Sequence, residues 1–146
     1  MKKNISGIKI FKKNIITDDR GKILHMMRID DDNFRRFGEI YFSYVNPSQI
    51  KAWHIHKKMT LNYVAAYGKI KLVLYDDREI SPTNGMVQEI ILSNDNHLLV
   101  SIPPMIWMGF QGLDSDVSLL LNIANIVHSP EESDRKTVDS IKYNWR

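Results

Sequence analysis

The sequence predicts an all-β chain folded as one sandwich or barrel, and three observations carry that prediction. Eight runs of strand length, rich in β-branched and aromatic residues, recur along the chain. Short clusters of Asp, Asn, Ser, Pro and Gly separate several of them, and almost no stretch repeats with helical spacing. With 146 residues, 43% of them hydrophobic, the chain suffices for one core and is too short for two ordinary ones, so residues 1–146 are read as one domain.

The elements follow in order. The apolar stretch at 8–16 reads as a lone strand needing a partner, since an unpaired edge leaves backbone groups open. The cluster Thr17-Asp18-Asp19-Arg20-Gly21 is a turn. Strands are then expected at 22–29, 39–46, 51–57, 61–67 and 69–75. In the last of these Ile70, Leu72 and Leu74 fall on one face and Lys71, Val73 and Tyr75 on the other, as a half-buried strand requires. Turn clusters at 76–85 and 93–96 bracket a strand at 86–92, and further strands are expected at 97–102 and 117–123. Only 130–139 offers helix, a turn or two, with Ser129 as N-cap, Pro130 at the first helical position and Glu131 and Glu132 in the first turn.

Composition narrows the function. No apolar run approaches the roughly 18 residues of a membrane span, and the start of the chain lacks the uninterrupted apolar region of a signal peptide, so a soluble cytoplasmic protein is expected. The absence of cysteine excludes disulfides, thiolate nucleophiles and cysteine metal sites. The net charge is +3, and the 20 Lys and Arg are scattered without a basic run interleaved with aromatics, which argues against nucleic acid. A few of those cations around one pocket suffice for a small anion such as a diphosphate.

The most informative segment is Lys51-Ala52-Trp53-His54-Ile55-His56-Lys57-Lys58. Two imidazoles two residues apart on a strand project from the same face, and inside a barrel that face lines a ligand cavity. Several barrel proteins hold a metal with such a pair, a carboxylate a few residues on and a third histidine from a later strand; compared with that pattern this chain has Leu61 in place of the carboxylate and Met108 in place of the third histidine. No glycine-rich phosphate loop follows a strand either, so no cofactor is expected and metal-free acid/base chemistry is the better reading.

An ordered series of motifs then resembles one family. Asp18-Asp19-Arg20-Gly21 is similar to an Asp-Glu-Arg-Gly, Lys51-Ala52-Trp53-His54 to an Arg-Gly-Leu-His, and Tyr75-Asp76-Asp77-Arg78-Glu79-Ile80-Ser81-Pro82-Thr83 to a Val-Asp-Leu-Arg-x-x-Ser-Pro-Thr. Residues 102–110 resemble an Ile-Pro-x-Gly-x-x-His-Gly-Phe, and His128-Ser129-Pro130-Glu131-Glu132 a Tyr-x-Pro-x-x-Glu. Together they resemble the cupin-type nucleotide-sugar epimerases around dTDP-4-dehydrorhamnose 3,5-epimerase. The resemblance implies a cupin-like barrel or double-sheet jelly roll, a homodimer paired through its sheets, a nucleotide-sugar substrate and a histidine base at His54. The family's lysine would lie near Leu61, its tyrosine acid at Asn122, and the segment carrying the aspartate partner of its base is missing. His54-Ile55-His56-Lys57-Lys58 and Ile102-Pro103-Pro104-Met105-Ile106-Trp107 also resemble the nucleotide-sugar 3,4-ketoisomerases, with Lys51 in place of an arginine.

The expected reaction removes a proton next to the ketone of a nucleotide-linked 4-keto-6-deoxy sugar. Its return to the opposite face inverts C3 or C5; return to another atom of the enediol moves the ketone. A sugar-nucleotide binding protein without chemistry is the competing class. The catalytic candidates are His54, His56, His128 and Tyr63, with Tyr41, Tyr44 and Tyr67 as further phenols. For substrate binding they are Arg20, Lys51, Lys57, Arg78, Trp107 and Asn122.

Overall fold

The computed structural model describes residues 3–146. Strands β1 (Lys9–Lys12), β2 (Ile15–Asp18), β3 (Gly21–Leu24), β4 (Glu39–Val45), β5 (Ile50–His56) and β6 (Leu61–Tyr67) are followed by β7 (Lys69–Tyr75), β8 (Val87–Ser93), β9 (Leu98–Ile102), β10 (Trp107–Gly112), β11 (Ser118–Ala124) and β12 (Ser133–Arg135). Two five-stranded sheets, in the orders β1-β9-β6-β11-β4 and β12-β5-β10-β7-β8, face each other as a jelly roll, and β2 and β3 form a separate hairpin. None of the described helices is long and apolar enough to cross a membrane.

The core lies between the two sheets and contains Ile70, Leu72 and Leu74 of β7, all fully buried, with Leu61, Tyr63, Val100, Met108, Phe110 and Leu120. Val73, on the opposite face of β7, is equally buried. The C-terminal segment covers that outer face with Ile141, Tyr143 and Trp145, which pack on Trp53, Trp107 and Val73. The half-buried strand read from alternation is therefore covered on both sides over this stretch. Gly68 makes the tight link from β6 to β7: its φ is +77°, and a Cβ there would lie 2.4 Å from the Ser118 hydroxyl.

Several expectations need correction. The stretch at 8–16 is no lone strand: β1 pairs with β9 of the same chain, Lys9 opposite Ser101, and β2 folds back on β3. The strand expected at 22–29 stops at Leu24 with its hairpin. β10, absent from the expectations, runs between β5 and β7. Its Gly109 masks a strand signal, yet it is needed, because a Cβ there would meet that of Ala52 at 2.5 Å. The helix expected at 130–139 is a 3₁₀ turn at Pro130–Glu132, then strand β12, then a 3₁₀ turn at Val138–Ser140. The open edge of β5 recruits residues 133–135 as a strand, and tertiary pairing overrides the local helical signals. Ser129 holds the N-cap position without a capping bond from its side chain.

Candidate active site

β5 carries the histidines with alternating orientation. Trp53 and Ile55 point outward into the aromatic cluster, where the Trp53 indole donates to the Val138 carbonyl at 3.1 Å. His54 and His56 point inward, as their spacing requires. The pairing of β5 with β10 then slips: Met108 lies opposite His54, but Gly109 lies opposite Ala52 and Phe110 opposite Lys51. Trp53 is the extra residue of this bulge, so Lys51 joins His54 on the cavity side although three positions away. The Lys51 ammonium sits 5.9 Å from the Phe110 ring centroid, donates to the Ser43 hydroxyl at 3.1 Å and meets the Tyr44 carbonyl.

On the other side of β5, β12 sets Ser133 opposite His56 and Arg135 opposite His54, and cross-strand partners share a face. The far wall belongs to the first sheet, with Glu39, Tyr41 and Ser43 from β4, Tyr63 from β6 and Leu120 from β11. His128 lies at the exposed rim. The open cavity has a volume of about 680 Å³, in the range of small-molecule sites.

The two imidazoles have different surroundings. His56 Nδ1 contacts the carboxylate of Glu132, whose other oxygen accepts the backbone N–H of Lys58 at 3.0 Å and of Met59 at 2.9 Å. Burial alone would raise the Glu132 pKa, but the bonds from His56, Lys58 and Met59 outweigh it and hold the carboxyl below its ordinary value. Glu132 is therefore an ionised acceptor that fixes His56 and leaves its Nε2 free. His54 has its pKa lowered to about 4, first by burial and then by Arg135, His56, His128 and Lys51, so it is neutral at physiological pH. Burial, followed by the neighbouring Tyr41, raises the Tyr63 phenol well above its ordinary value. Its hydroxyl lies 3.9 Å from the Met108 sulfur and its ring packs edge-on against Phe110.

A family model described as dTDP-4-dehydrorhamnose 3,5-epimerase matches residues 2–145 of this sequence. The chain belongs to that family. It is 30% identical over 137 residues to a probable low-salt glycan biosynthesis epimerase of Haloferax volcanii, covering 92% of this chain and 88% of that one. It is also 30% identical to a spore coat polysaccharide biosynthesis protein of Bacillus subtilis, over 97% of this chain and 96% of that one. A crystal structure of a dTDP sugar isomerase from Desulfovibrio desulfuricans superposes with a TM-score of 0.94 at 39% identity, covering 97% of this chain and 92% of the other. The protein is thus an isomerase-class enzyme of the dTDP-sugar epimerase type.

In this epimerase the cavity brings together His54, His56, His128, Tyr63, Tyr41 and Lys51 from the sequence reading. The other candidates do not line it. Arg20 sits at the tip of the β2–β3 hairpin, 89% exposed at its side chain and paired with Asp18 at 2.7 Å. Lys57 turns outward to Asp134 at 3.6 Å and to the Glu131 carbonyl. Arg78 is bound to the fully buried Asp76 and to the Ser6 carbonyl, which pins the N-terminal segment to the turn between β7 and β8. Trp107 faces the outer layer, donating to Asp77 at 2.9 Å beneath the Lys136 ammonium. Asn122 is fully buried, and its Oδ1 accepts the Asn62 N–H at 2.9 Å. Leu61 and Met108, which stand at the vacant metal-ligand positions, are core residues.

Sequence reasoning missed Glu132, Arg135 and Glu39 as members of the site. Arg135 lay in a stretch read as helix, and nothing local reveals that β12 pairs with β5. Glu132 carried a weak signal, a carboxylate two residues after Pro130, but its partner is 76 positions away.

Proposed function

We propose that the protein is a metal-independent epimerase of a dTDP-linked or similar nucleotide-linked 4-keto-6-deoxy sugar, inverting C3, C5 or both. The observation that carries this reading is the pair of inward imidazoles beside Arg135 and Lys51 in a cavity of sugar-nucleotide size. His54, neutral and aimed inward, takes the proton from the carbon next to the ketone. His56 meets the ketone oxygen through Nε2; when it carries a second proton, the Glu132 carboxylate compensates the charge as the enolate forms. Arg135 and Lys51 bind the diphosphate. His128 at the rim closes over the sugar or the nucleotide.

Ketone migration is the second reading, and one observation favours it: His54 and His56 lie on the same wall, so a proton taken by one can be returned to a neighbouring atom from the same side. The enzyme works as a homodimer. Strand β4 is an edge whose outward face carries Ile40, Phe42 and Tyr44, the last two 58% and 63% exposed, and a second copy would cover them.

The test is deuterium wash-in from D₂O into a dTDP-linked 4-keto-6-deoxyglucose, followed by NMR. His54→Ala lowers exchange about 10²–10⁴-fold while the nucleotide still binds. Wild-type exchange in that variant transfers the role of base to another residue, and no wash-in with the unaltered protein removes the epimerase reading.

A further inference from the structure

Inversion needs a proton donor on the wall facing the base, and the position that resembles the family's tyrosine acid is Asn122, an amide that cannot donate a proton usefully to carbon. The strands around Asn122 supply phenols instead. Asn122 of β11 lies opposite Tyr41 on β4 and opposite Tyr63 on β6, so the three residues form one cross-strand row on the inner face of the first sheet. Both tyrosines line the cavity, while Asn122 between them is fully buried. His54 and His56 project from the second sheet into the same cavity of about 680 Å³ that the two phenols line from the first, so a sugar held there has the imidazoles on one wall and the phenols on the other.

The two phenols are not equivalent. Tyr63 is 3% exposed, locked edge-on against Phe110, with its hydroxyl 3.9 Å from the Met108 sulfur and the Tyr41 phenol as its neighbour in the row. Tyr41 is 37% exposed and reaches the mouth. We propose that Tyr41 is the catalytic acid of the inversion and that Tyr63 is a positioning residue, its hydroxyl turning from the weak Met108 sulfur contact to donate to the Tyr41 oxygen so that the Tyr41 proton points to the substrate. The assignment rests on the epimerase reading above. Its proton balance is complete: the base removes the proton from one face of the carbon, and the Tyr41 O–H bond breaks as a new C–H bond forms on the other face. The exposed phenolate then regains a proton from solvent, to which the imidazolium releases the one it took. Burial keeps Tyr63 protonated throughout, as a fixed donor requires.

The experiment follows exchange and inversion separately on a dTDP-linked 4-keto-6-deoxyglucose in D₂O, using the full chain. Tyr41→Phe retains deuterium wash-in into uninverted substrate within a few fold and the wild-type KM, while inverted product falls about 10²–10⁴-fold. Tyr63→Phe keeps the ring packing, lowers kcat for inversion about tenfold at unchanged KM, and adds nothing in the Tyr41→Phe background, because the two act as one unit. Melting temperatures of both variants near that of the parent exclude a folding defect. Inversion at the parent rate in Tyr41→Phe overturns the assignment, as does an equal loss of exchange and inversion. An unaltered protein that exchanges without inverting overturns it while leaving the histidine base in place; one that neither exchanges nor inverts overturns the epimerase reading itself.

Discussion

Glu132→Gln separates the electrostatic contribution of Glu132 from its shape. In the parent protein the carboxylate accepts from His56 Nδ1, Lys58 N and Met59 N, and it is 7% exposed. Hydrogen bonds to a charged acceptor contribute about 1.5–3 kcal/mol each. The amide keeps the size and one oxygen, which can still serve the two backbone N–H groups, but its NH₂ then faces His56 Nδ1. His56 must turn that nitrogen into an acceptor and carry its proton on Nε2. The lost charge and altered bond should destabilise the fold by about 1–3 kcal/mol, a fall in Tm of roughly 3–10 °C for a chain of this size. Turnover should fall about 10²-fold, since imidazolium at His56 no longer has a carboxylate to compensate it. The sign with pH follows from linkage. Glu132 has its pKa lowered in the folded state, so its stabilisation is complete above the unfolded value near 4.5 and is lost as pH falls through the folded value. Urea unfolding of parent and variant, followed by tryptophan fluorescence, should give a constant gap from pH 7 to pH 5 that closes in more acid solution. Equal midpoints at pH 7, or a gap of the same size at pH 3, would refute the role given to Glu132.

Three further outcomes are expected. The acid limb of the exchange rate should lie near pH 4 instead of 6.5, because burial and then Arg135 hold the His54 pKa down; Arg135→Gln should move the limb upward, and a limb at 6.5 in the parent protein would mean that His54 is not the base. Light scattering at micromolar concentration should give twice the 17.0 kDa of one chain, and Phe42→Lys, which sets a charge in the middle of the apolar face of β4, should give the single-chain mass; a single-chain mass for the parent at every concentration removes the dimer. Dialysis against EDTA should leave exchange unchanged, because among the described residues no three His, Asp or Glu side chains converge as ligands. Activity lost on dialysis and restored by zinc, iron or manganese would contradict this.

The sequence by itself determined the strands whose periodicity is local. β4 to β7 match their expected runs within a residue at each end, because alternation of apolar side chains and a turn glycine such as Gly68 act over a few positions. It also determined that His54 and His56 share a face, since that follows from strand geometry alone. Tertiary structure decided what required distant partners. Residues 133–135 become a strand only because the edge of β5 is open beside them, and that pairing sets Arg135 opposite His54. The Trp53 bulge moves Lys51 onto the cavity side, and the order β4-β11-β6 places Tyr41 and Tyr63 on either side of Asn122. Arg78 and Trp107 resemble functional positions in one dimension yet serve the buried Asp76 and the outer aromatic layer, because a motif fixes the residue but not which face of the sheet has been covered by another part of the chain. Spacing along a strand is a local geometric property; which strands become neighbours depends on burying both sheets and pairing their edges, a condition on the whole chain that no short window contains.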